Sequence, residues 1–139
     1  MTWEETVLEV WRVGQRLSAV GPGPVEEQLE RSLALAAQLD TPGRAVDLGS
    51  GAGIPGLALA GRWPESEWLL LDAARRRVRL LEDAVARLGW SNRVTVVHGH
   101  GSGAMRDAVR SWLSAHPLVR EWRPGERGEG GDGATIVTL

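Results

Sequence analysis

The segment Val46-Asp47-Leu48-Gly49-Ser50-Gly51-Ala52-Gly53-Ile54-Pro55-Gly56 constrains the fold more than any other part of the chain. A short strand, Arg44 to Leu48, delivers the backbone to glycines at 49, 51 and 53, and a helical stretch over residues 54–62 follows. Glycine accepts positive φ and leaves no Cβ between backbone and ligand. Strand, glycine turn and helix in that order mark the carboxyl edge of a parallel α/β sheet, where such sheets bind ligands. Pro55 suits the first helical turn, where a missing N–H costs little.

The flanking sequence repeats that grammar. Trp68 to Leu71 is a continuous apolar run, as a buried parallel strand requires. Ala74 to Leu88 reads as a helix with Val78, Leu81, Val85 and Leu88 inward, closed by Gly89 as a left-handed cap. Val94 to Val97 is a third strand. Two helices precede the sheet. The first covers residues 2–19, capped by Thr2, with Val7, Val10, Trp11 and Leu17 on one face. The second runs from Pro24 to Leu39, with Val25, Leu29, Leu33 and Ala36 at helical spacing. The expected fold is therefore α/β, a Rossmann-like half domain whose parallel sheet stops after the third strand. It divides into a helical segment (1–40), the half domain (41–100) and a Gly/Arg-rich tail (101–139). In the tail a helix is expected from Ala104 to Ala115, a solvated flexible stretch at 123–133, and a strand from Ala134 to Leu139 with no clear partner.

Two acidic residues decide what the glycine turn can bind. Asp47 ends the first strand, and Asp72 ends the second, 21 residues after Gly51. A carboxylate at Asp72 suits the ribose hydroxyls of an adenosine ligand. Residues 51–56 also satisfy G-x-G-x-x-G, so a dinucleotide is an alternative. A pyrophosphate docks at a helix N-terminus, and Asp47 beside it would repel that charge. S-adenosylmethionine carries no phosphate and is cationic, so Asp47 favours the methyl donor as cofactor.

Composition removes other chemistries. With 139 residues and 42% apolar content, the chain supports one modest core. A net charge of -2 gives no global reason to expect nucleic acid or membrane binding, and neither DNA nor a membrane is expected as partner. There is no cysteine, so disulfides, thiolate zinc sites and cysteine nucleophiles are excluded. The first residues lack the basic and apolar regions of a secretory signal, and the expectation is a cytoplasmic protein. A nucleophile elbow around Ser50 would need glycines at 48 and 52, which are Leu and Ala. His98, His100 and His116 lack the spacing of metal ligands, and no metal is expected. Every basic residue is Arg, and there are seven Trp but neither Phe nor Tyr. Arg75, Arg76, Arg77 and Arg79 cluster at the opening of one helix. They form either a solvated face or, through Arg75, Arg76 and Arg79, a phosphate contact for RNA.

The stretch from Gly43 to Gly99 resembles the ribosomal RNA small subunit methyltransferase G family, also called glucose-inhibited division protein B. Gly53-Ile54-Pro55-Gly56, Leu70-Leu71-Asp72 and Arg76-Arg77-Val78-Arg79-Leu80-Leu81 carry the likeness, which covers about residues 15–99. The resemblance implies methyl transfer to N7 of a guanine in 16S rRNA, with the small ribosomal subunit as partner. It also implies that Gly49 and Ile54 contact the methyl donor, with Gly51, Gly53 and Asp72 lining the same pocket. Guanine N7 has a free lone pair and no proton to remove, so no catalytic base is assigned. After the third strand the family has an acidic residue, and later a fourth strand ending in an Arg-x-Phe-type motif. This chain has Gly99-His100-Gly101-Ser102 there and no such strand. Suitable codons for Leu113 to Arg120 in another frame permit Arg-Ala-Ser-Phe-Gly-Pro, which makes an out-of-frame tail one explanation. The remaining alternative is an inactive cofactor-binding fragment of the same family.

Overall fold

A computed structural model describes residues 1–99, 103–129 and 131–139. His100, Gly101 and Ser102, considered above as a candidate metal ligand and as the family's departure point, lie outside the described residues. The chain forms two units, Met1–His98 and Gly99–Leu139.

In the first unit α1 (Trp3–Arg16) and α2 (Val25–Ala36) precede β1 (Arg44–Leu48), α3 (Gly56–Arg62), β2 (Glu67–Asp72), α4 (Arg75–Leu88) and β3 (Val94–His98). The strands form a parallel sheet in the order β1-β2-β3, with Val46 opposite Leu69 and Leu70 opposite Val96. Among the described residues β2 is the strand of this sheet paired on both sides, which suits its continuous apolar run. The helices bury Val7, Val10 and Trp11 of α1, Leu57 to Ala60 of α3, and Val78, Leu81, Ala84 and Val85 of α4 in one core with Trp68 and Leu70. A capping box opens α1: Glu5 N–H donates to Thr2 Oγ1 (3.2 Å), and Thr2 N–H donates to Glu5 Oε2 (2.7 Å). Gly89 closes α4 at φ 69°.

Leu17 corrects the sequence reading. It does not share the inward face of α1 but lies past its end and is 37% exposed. The helix stops because the N–H groups of Leu17, Ala19 and Val20 all turn back to the Gly14 carbonyl (2.8–3.3 Å). Among the described residues β1 pairs with β2 alone, and Leu48 at its tip is 60% exposed.

The second unit holds α5 (Ala104–Ala115) and an antiparallel pair, β4 (Glu121–Pro124) with β5 (Thr135–Thr138). Two expectations change here. The terminal strand has a partner: Trp122 faces Val137 and Arg123 faces Ile136. Residues 123–129 are also not a loose stretch. Arg123 grips Glu129 through both guanidinium nitrogens (2.8 and 3.1 Å), and Glu126 N–H donates to the same carboxylate (2.8 Å). A short 3-10 turn, Gly131–Gly133, follows. These residues stay mostly exposed, as expected, but their charges and glycines close a defined turn, since glycine supplies the positive φ at 128 and 131. Among the described residues no helix is long and apolar enough to cross a membrane.

Candidate functional site

The site is built where β1 ends. Gly49, Gly51 and Gly53 adopt φ of 70°, 58° and 89°, which side-chain-bearing residues rarely accept. The Ile54–Pro55 peptide is cis. Ser50 locks the hairpin onto the sheet. Its N–H donates to Leu71 O (2.9 Å), its hydroxyl donates to Asp47 O (2.8 Å), and the same oxygen accepts Leu71 N–H (3.1 Å). Trp11 of α1 donates its indole N–H to Ala52 O (3.0 Å). The space before Gly49 is open, because a Cβ placed there meets nothing within 4 Å. Gly53 packs over Leu57, and Gly56 has no room for a Cβ beside Asp47 and Leu70.

The two carboxylates have different surroundings. Asp47 is half-buried and accepts the Gly56 N–H at the start of α3 (3.1 Å). Burial lifts its pKa from 3.8 to about 6, against the lowering effect of the Gly56 N–H and Ser50, while the charge of Asp72 raises it further. A charged Asp47 is thus costly at this position and is relieved by a cation. Asp72 is 2% exposed. One oxygen accepts Gly51 N–H (2.9 Å), the other accepts Ala74 N–H (2.8 Å), and the Arg77 guanidinium lies 3.6 Å away. It anchors the middle of the hairpin to β2 and turns no open carboxylate outward. Ile54 is half-buried against the core.

The structure therefore brings Asp47, Gly49, Gly51, Gly53 and Ile54 into one hairpin and ties Asp72 of β2 to it through Gly51. It sets the arginines apart at the start of α4. Arg77 turns to Asp72, whereas Arg75, Arg76 and Arg79 line an open pocket of about 470 Å³ together with Leu17 and Leu80. A second, wider cavity of about 720 Å³ lies along Gln15 and residues 18–23. Gln15 braces that loop by donating to Gly21 O (3.0 Å) and Gly23 O (2.7 Å). The His98 ring meets Ala73 O at 3.0 Å, and His116 Nδ1 accepts Leu118 N–H (3.2 Å). Among the described residues no group of three His, Cys, Asp or Glu could hold a metal ion.

The sequence pattern of the rRNA small subunit methyltransferase G family matches residues 21–103, more than half of the chain. The chain belongs to that family. Members of this rRNA methyltransferase family depend on S-adenosylmethionine, and the hairpin fits such a group in its open approach at Gly49 and its cation-seeking Asp47.

A second family matches as well. The Smr domain covers residues 69–139, so the chain also carries an Smr domain, and both families claim residues 69–103. Endonuclease MutS2 of Clostridium beijerinckii is 45% identical over 69 residues, 49% of this chain and 8% of that protein. The Geobacillus kaustophilus protein of the same name is 46% identical over 68 residues, again 49% and 8%. That of Caldicellulosiruptor saccharolyticus is 52% identical over 46 residues, 33% and 6%. The chain thus spans less than a tenth of the length of these relatives. An out-of-frame tail would match no family, and this match overturns that explanation.

Sequence reasoning missed both Ser50 as a lock and the Smr domain. A signal for the domain was present. The Gly-rich run 99–103 between the strand ending at His98 and the helix starting at Ala104 repeats the strand–glycine–helix grammar of residues 44–62.

Proposed function

We propose that this chain is an S-adenosylmethionine-dependent methyltransferase of Rossmann-like fold acting on N7 of a guanine in 16S rRNA. One observation carries the reading: a half-buried carboxylate, Asp47, with its pKa lifted to about 6 beside an open glycine hairpin. That arrangement gains from a cation and loses from a phosphate, which favours the methyl donor over a dinucleotide. Bound there, S-adenosylmethionine supplies an electrophilic methyl group. Asp47 holds the cationic end, Gly49 and Gly51 let the ligand approach the backbone, and Ile54 gives an apolar wall. Asp72 and Ser50 hold the hairpin in place. N7 needs no base, so the protein's contribution is alignment of donor and guanine.

Calorimetry with S-adenosylmethionine, its demethylated product and NAD tests the cofactor. Saturable binding of the first two and none of NAD is expected; the reverse order sinks the reading. Methyl incorporation into small-subunit RNA, mapped to a guanine, tests the substrate. Incorporation at no guanine, beside intact donor binding, leaves the inactive cofactor-binding fragment.

A second reading rests on the Smr match and the MutS2 relatives. Residues 69–139 would then act on nucleic acid as an endonuclease, the activity in those relatives' name. Incubation with single- and double-stranded substrates, followed by sizing of the products, checks it; strands that stay intact under all conditions discard it.

A further inference from the structure

We propose that Arg75, Arg76, Arg79 and Leu17 form a subsite for a backbone phosphate of the RNA strand, next to the donor hairpin. The proposal rests on the RNA reading above and names the part of the molecule that grips the strand.

Three observations converge. First, Arg75, Arg76, Arg79, Leu17 and Leu80 line one open pocket of about 470 Å³. Three arginines beside two leucines suit a phosphate attached to a sugar and base better than a bare ion.

Second, the arginines lack carboxylate partners. Glu82 and Asp83 stand three and four residues from Arg79 on the same helix, within reach for an ion pair. Yet among the described residues no ion pair to Arg75, Arg76 or Arg79 forms. Elsewhere in the same unit Arg12, Arg31, Arg44, Arg77 and Arg87 meet carboxylates; among the described residues Arg16, Arg62 and Arg93 form no ion pair either, but they do not share a pocket with one another. Arg75 and Arg79 sit at i,i+4, and Arg76 and Arg79 at i,i+3, so the three repel one another until an anion arrives.

Third, the pocket adjoins the hairpin through packed atoms. A Cβ built on Gly14 of α1 would meet Val20, Ala52 of the hairpin (3.0 Å) and Leu80 of the pocket floor (3.6 Å). A strand held at the arginines therefore lies beside the donor rather than across the molecule.

The test is fluorescence anisotropy of the full chain with a labelled single-stranded oligoribonucleotide, read across a salt series, with calorimetry of S-adenosylmethionine on the same samples. Substituting Arg75→Gln, Arg76→Gln and Arg79→Gln together should weaken RNA binding at least tenfold. It should also flatten the slope of log affinity against log salt by about 0.7 for each phosphate that no longer meets a guanidinium. Leu17→Ser should weaken binding severalfold with the slope unchanged. Arg62→Gln, an exposed arginine on α3, should change neither. Donor affinity should hold in every variant, which separates this subsite from the donor site. The triple variant removes like-charge repulsion, so it should fold at least as well as the parent chain. An unchanged slope and affinity in the triple variant would overturn the proposal. So would a parent chain that binds donor but no RNA, or saturable binding of inorganic phosphate alone with no RNA affinity.

Discussion

At the scale of single residues, Asp47 is where folding and binding compete. Its folded pKa of about 6 lies above the unfolded value of 3.8, so its neutral form is the one the fold prefers. The stability it contributes is complete below about pH 4 and is lost as pH rises through 6, roughly 3 kcal/mol across that window. Asp47→Asn should therefore raise the melting temperature of the ligand-free chain above pH 6 while leaving it nearly unchanged at pH 4. The same substitution should weaken S-adenosylmethionine binding about tenfold at pH 7.5, since the cation loses its counter-charge. In the parent chain, affinity should fall as pH drops below 6; calorimetry at pH 5 and 7.5 reads this directly. Asp72 behaves differently, because both oxygens accept backbone N–H groups. Asp72→Asn turns one acceptor into a donor facing an N–H, so about 1–3 kcal/mol of stability should be lost in a denaturant titration, together with donor affinity. Gly56→Ala should be as damaging, because its Cβ would overlap the Asp47 carboxylate and Leu70.

At the scale of elements, most of the fold was legible in the chain itself. The strands and helices from Trp3 to Leu88 follow from periodicity, caps and glycine breaks, and their ends fall within a few residues of the expected positions. The hairpin of the second unit was not legible, because its two strands are short and the order between them comes from specific pairs. Arg110 is the centre of that order. It donates to the Asp132 side chain and backbone, to Ala134 O and to Thr135 Oγ1 (3.0–3.3 Å), and its guanidinium lies 5.3 Å from the Trp122 ring centroid. Arg110→Gln should speed amide exchange in β4 and β5 by at least tenfold while α1, α3 and α4 keep their protection, which hydrogen-exchange mass spectrometry resolves.

At the scale of the whole molecule, two families overlap on β2, α4 and β3. A strand, a helix and a parallel strand make a unit that many α/β folds use, so the overlap is physically natural. Its consequence is the edge of β1, which among the described residues pairs on one side only and ends in an exposed leucine. Unpaired edges with apolar side chains promote association. Leu48→Lys should therefore lower the apparent mass at high concentration in light scattering while changing stability by no more than about 0.5 kcal/mol in a denaturant titration.

What the sequence determined on its own is the local grammar: where strands, turns and helices fall, and that glycines 49, 51 and 53 with Asp47 and Asp72 belong to one feature. These depend on short-range forces, side-chain periodicity and backbone freedom. Only the tertiary structure decided that Asp72 gives one oxygen to Gly51 of the hairpin and the other to Ala74, and that Ser50 bridges β1 to β2. It also decided that Arg77 leaves the other arginines to a pocket with Leu17. Those outcomes depend on which groups meet across distant segments, and a carboxylate or guanidinium has the same chemistry in the sequence whichever partner it finds.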